Sequence, residues 1–158
     1  MLLKPLPGDL ADRQTIVELK VNHCNAEFDQ DQAQPQGKML GMTRTLVNKN
    51  SVNAAPFLDE LEMLRNELSK KWVPSLVSLN RVEAYDKLYD QLAETNGELW
   101  ELEDKIRALK AAPYQKEQPW LIRVMETAFD IVTQNDKRSE LIKAINKLWN
   151  YNTQEKMY

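Results

Sequence analysis

Residues 78–112 read SLNRVEAYDKLYDQLAETNGELWELEDKIRALKAA, and this stretch decides the fold. Val82, Tyr85, Tyr89, Leu92, Leu99, Ile106 and Leu109 recur at steps of three, four or seven, the spacing that keeps apolar side chains on one seam of a helix packed against other helices. Only Gly97 interrupts the helix-forming residues. Pro113, which has no N–H to give and clashes with the preceding turn, stops the run. The spacing predicts one helix from about Ser75 or Ser78 to Ala112, long enough to be the rod around which a bundle is built.

Four further helices are expected around it. Leu10, Val17, Val21, Cys24 and Phe28 recur at helical spacing, with Ile16 and Leu19 widening the stripe and Pro7-Gly8-Asp9 supplying a start. Asp9 is the candidate N-cap, and Asp12 is favourable in the first turn. A second helix begins near Asn53, tolerates Pro56 in its first turn, carries Phe57, Leu61, Leu64, Leu68 and Trp72 on one face, and ends at Pro74. After Pro113, Pro119 opens a helix carrying Leu121, Val124, Met125, Ala128, Ile131 and Val132. The run Gln134-Asn135-Asp136 then breaks the pattern, with Asp136 as N-cap of a last helix through Leu141, Ile142, Ile145, Leu148 and Trp149. Short connections favour antiparallel neighbours. The expected fold is therefore all-α, an antiparallel bundle of about five helices in a single domain spanning 1–158. Leu2-Leu3-Lys4-Pro5-Leu6 suits a short strand or an extended arm. Residues 29–53, rich in Gln, Asn, Pro and Gly, form a long irregular connector.

Two polar clusters carry the candidate chemistry. Asn96 and Glu103 fall in register with the apolar seam, which places an amide and a carboxylate where apolar groups belong. A carboxylate taken out of water costs several kcal/mol, so Glu103 should be paired, protonated or bound to a cation. Arg107 stands one turn on, Asp104 lies beside it, and Trp100 can wall one side of a cleft. One reading is a structural network in which Glu103 and Arg107 neutralise each other and Asn96 hydrogen-bonds a neighbouring helix. The other makes Glu103 and Asp104 ligands for a divalent metal such as Mg²⁺, or the floor of a small-molecule pocket, as bundle cores often carry. The second cluster is Asn135, Asp136, Lys137 and Arg138, followed by Lys143 and Asn146, either a plain helix cap at Asp136 or an anion site at a helix start.

Composition narrows the classes. The chain has 158 residues, 42% of them hydrophobic and 28% charged, so it is of globular composition, and its four Gly argue against a turn-rich β architecture. A formal net charge of −3 provides no global field for phosphate backbones, which makes nucleic acid an unexpected partner. No apolar run approaches the ~20 residues a bilayer span requires, the N-terminal residues lack a secretory h-region, and one cysteine, Cys24, makes no intrachain disulfide. A cytoplasmic setting is expected. His23 is the sole histidine, so a zinc site is not expected, and no Gly-rich phosphate loop occurs.

Three stretches resemble an uncharacterised all-helical family of bacteria and phages, a domain of unknown function. They are Gly8-Asp9-Leu10-Ala11-Asp12-Arg13-Gln14-Thr15-Ile16 through Lys20; Asn96 through Arg107, with Leu99, Trp100, Glu103, Asp104 and Ile106 in pattern; and Asn135, Asp136, Arg138, Ile142, Lys143, Ile145 and Asn146. The resemblance covers about two thirds of the chain and lapses between about Asn25 and Asn53. It implies a helical fold and no activity. Two functions stay open. A binding or assembly protein, expected as a homodimer, would use apolar surface including Trp72, Trp120 and Trp149. An enzyme or binding protein for a phosphorylated small molecule or nucleotide would hold Mg²⁺ on Glu103 and Asp104 and phosphate on Arg107, Arg138 and Lys143.

Overall fold

The computed structural model describes residues 5–30, 55–111 and 118–150, with side chains up to Cys24 in the first stretch. Of these residues 93% are helical and none is in a strand, so the fold is all-α with bundle-like packing. The helices are α1 (Pro7–Gln30), α2 (Ala55–Glu67), α3 (Val73–Ser78), α4 (Val82–Ala111) and α5 (Gln118–Lys147). The expected N-terminal strand or arm at 2–6 and the connector at 29–53 lie largely outside the described residues. At the connector's start, the backbone of Asp29 and Gln30 continues α1.

Pro74 does not end the second helix. A five-residue π-helical turn, Leu68–Trp72, joins α2 to α3, and Pro74 sits in the first turn of α3 where its missing N–H costs nothing. The Trp72 carbonyl, at the joint, receives the Ser75 hydroxyl at 2.6 Å and the Trp149 indole N–H at 3.2 Å. The true break comes after Ser78. Asn80 has φ 53°, its N–H reaches the Val77 carbonyl, and the Arg81 N–H reaches the Leu76 carbonyl. This pair of bonds closes a helix C-terminus, with asparagine in the left-handed position usually given to glycine. The long helix expected from Ser75 or Ser78 therefore starts at Val82.

α4 and α5 run antiparallel along each other: Arg81 reaches the Leu148 carbonyl at one end, Glu98 faces Lys137 midway, and the Trp120 indole donates to the Leu109 carbonyl at the other. α1 lies against both and against α2. Its apolar stripe builds two core clusters. Leu10, Val17 and Val21 pack with Leu61, Leu64 and Leu68, while Ala11 joins Leu76, Tyr85, Leu92 and Ile145.

The expected break at Gln134-Asn135-Asp136 is absent, because α5 continues through it to Lys147. No Gly or Pro follows Pro119. The Thr133 hydroxyl and the Asn135 amide donate to carbonyls one turn back, Phe129 and Ile131, so these polar side chains sit on the helix instead of turning it. Two expected helices are one.

Candidate functional site

Where α1, α4 and α5 meet, the polar side chains form a closed network. Arg138 of α5 donates through Nε to Asp12 Oδ1 at 2.7 Å and through Nη2 to Oδ2 at 2.5 Å, the bidentate fork that suits guanidinium and carboxylate. Asn96 of α4 donates to the same Oδ1 at 3.0 Å and to the Thr15 hydroxyl at 2.8 Å, and that hydroxyl donates to the Asp12 carbonyl. Asn96 is 4% exposed and Thr15 1%. The Arg138 guanidinium is held above its ordinary value, chiefly by its hydrogen bond to Asp12 and against the opposing effect of burial. Both carboxylate oxygens accept bonds from the chain itself. Asp12 is thus a structural acceptor shared by two helices.

A second tie secures the start of α1. The Gly8 N–H, one of the donors a helix start leaves unmade, is accepted by Asn146 Oδ1 at 2.7 Å. Asp9 accepts the Leu6 N–H at 3.3 Å, and so serves as a first-turn acceptor within the helix in place of the expected N-cap. A Cβ on Gly8 would stand 2.5 Å from the Ile142 carbonyl oxygen, so α1 approaches α5 through a glycine.

The expected residues divide. Asn96 faces inward as expected and hydrogen-bonds a neighbouring helix. Glu103, Asp104 and Arg107 do not face inward: their side chains are 56–58% exposed, with Arg107 bound to Glu103 at 3.4 Å and to Asp104 at 2.6 Å. Glu103 lies two turns beyond Asn96, and its charge adds to that of Asp12 in holding the Arg138 guanidinium up. Among the described residues no three His, Cys, Asp or Glu side chains gather closely enough to hold a metal ion, and the expected metal pair is engaged with Arg107 instead. Trp100 stacks on His23 at 4.7 Å.

The second cluster is not a helix start, so the anion site built on one is corrected. Asn135 and Asp136 are exposed in mid-helix, Arg138 is committed to Asp12, and Lys143 pairs with Glu140 at 3.0 Å. Arg107, Arg138 and Lys143 each meet an acidic partner of their own. Sequence reasoning missed Gly8 and Thr15 as tie residues, placed Asn146 in the second cluster without its partner at Gly8, and read Asp12 only as a first-turn charge. All four nevertheless lie in the first and third of the three stretches quoted for the resemblance. Among the described residues no helix is long and apolar enough to cross a membrane. No family model, curated protein or solved structure matches the chain. Fold and site together define an all-helical bundle in which Asp12, Thr15, Asn96, Arg138 and Asn146 join the helices.

Proposed function

We propose that this chain is a binding and assembly module that associates with itself through the N-terminal half of α5. The observation that carries the reading is an apolar row on that helix: Ile122, Met125, Phe129 and Val132 are 48–67% exposed, and Leu121 beside them 49%. On the opposite side Thr127 is fully buried and the Trp120 indole is tied to α4. At 3.6 residues per turn the two rows lie roughly 170° apart, so this half of the helix is packed towards α4 and apolar again away from it. A helix apolar on its outer side is ordinarily covered there too. The expected tryptophan surface is redistributed, because Trp72 and Trp149 pack on the two core clusters.

The reading of a phosphorylated ligand held by Mg²⁺ gains no support from the placement of Glu103, Asp104, Arg107, Arg138 and Lys143. The test of assembly is light scattering across a concentration series. The native chain is expected to show twice the monomer mass at high concentration, and Phe129→Glu the monomer mass with unchanged helical circular dichroism. A native chain that stays monomeric throughout overturns the proposal.

A further inference from the structure

The exposed row on α5 reads nearly the same in both directions, and from this we infer that it pairs with the same row of a second copy, antiparallel, about a two-fold axis that crosses the seam midway between Met125 and Phe129. This rests on the self-association proposed above. The spacing from Ile122 to Met125 is three, to Phe129 four and to Val132 three. Turning a second copy end over end about the middle sets Met125 of one against Phe129 of the other, and Ile122 against Val132. A surface that complements itself in this way is what a two-fold dimer requires. The large side chains then alternate across the seam.

Charge favours the same direction. A polar strip beside the row carries Arg123 near one end and Glu126 and Asp130 further on. Antiparallel pairing sets the two strips side by side on one flank and brings Arg123 of one copy within one residue of level with Asp130 of the other, whereas a parallel two-fold pair leaves the strips on opposite flanks, where they do not meet. It also opposes the two helix dipoles. Five side chains about half exposed, of roughly 200 Å² each, offer ~500 Å² of apolar surface per copy. A standard interface takes about 800 Å² per partner with an apolar core of about two thirds, so the row is of the size a dimer core needs.

Cysteine cross-linking tests the register in a Cys24→Ser background. Ile122 and Val132 are ten residues, about 15 Å, apart along the helix, so neither faces its own counterpart in the antiparallel pair. Ile122→Cys alone and Val132→Cys alone should give little covalent dimer under mild oxidation, and an equimolar mixture of the two should give a mixed disulfide in at least about tenfold greater yield. Covalent dimer from each variant alone, with no gain on mixing, indicates parallel pairing and overturns the inference. A dimer by light scattering with no disulfide in any combination places the interface elsewhere and overturns it while leaving self-association standing. A monomer in which both cysteines resist a thiol reagent shows that the chain covers the row itself, and both proposals fall.

Discussion

Replacing Asp12 by alanine removes the acceptor that α4 and α5 share and leaves Arg138 without its partner. The side chains of Asp12 and Arg138 are 13% and 29% exposed, so the pair is largely but not wholly withdrawn from water. Breaking a buried pair by deleting one member costs about 3–5 kcal/mol, and partial exposure points to the lower end, about 3 kcal/mol. The Asn96 amide also loses one acceptor, worth about 1 kcal/mol. A chain of this size loses roughly 2–4 °C of melting temperature per kcal/mol, which gives a fall of about 6–16 °C. Urea unfolding of the native chain, Asp12→Ala, Arg138→Met and the double variant measures the coupling directly. The double variant should recover much of the loss, because no charge is then left unpaired. Additive single losses, or a loss for Asp12→Ala within about 0.5 kcal/mol of zero, the range of ordinary surface substitutions, would refute the network as the tie between the helices.

Two glycines should respond with opposite sign. Gly8→Ala forces a Cβ against the Ile142 carbonyl and should cost roughly 1–3 kcal/mol, whereas Gly97, with nothing within 4 Å of a Cβ, should accept alanine with a gain of about 0.5–1 kcal/mol in urea unfolding. Tyr85 and Tyr89 are held above the ordinary phenol value of 10, first by burial and then by nearby carboxylates, and Tyr89 donates to Glu18 at 3.0 Å. The folded chain therefore keeps protons that the unfolded chain releases, so their contribution is complete below pH 10 and declines as pH rises above it, by about 1.4 kcal/mol per pH unit for each phenol. Urea midpoints from about pH 9 to about pH 11 should fall above the phenol's ordinary value, and Tyr89→Phe should flatten the fall.

The central helix was legible because Tyr85, Leu92 and Leu99 keep a helical period that any packed rod must show, and all three are buried. Asn96 was legible for the same reason, as a polar residue in an apolar register. Glu103 was misread because register fixes a direction and not a neighbour: α1 supplies Asp12 and Thr15 to the Asn96 amide, while the Glu103 side chain stays 56% exposed beside Arg107. The Gln134-Asn135-Asp136 run looks like a turn by composition, yet polar residues sit equally well on a continuous helix, where Asn135 and Asp136 are exposed and Gln134 is half-buried. Asp12 and Arg138 lie 126 residues apart, and no local rule pairs them.

α5 thus divides into a C-terminal half held by the chain's own network and an N-terminal half whose outer face is proposed to take a second copy. Hydrogen exchange along α5 at two protein concentrations, about a hundredfold apart and spanning the dimer transition, separates the halves. Amides of 121–133 should gain protection at the higher concentration while those of 138–147 stay unchanged. Equal protection of 121–133 at both concentrations would contradict that division.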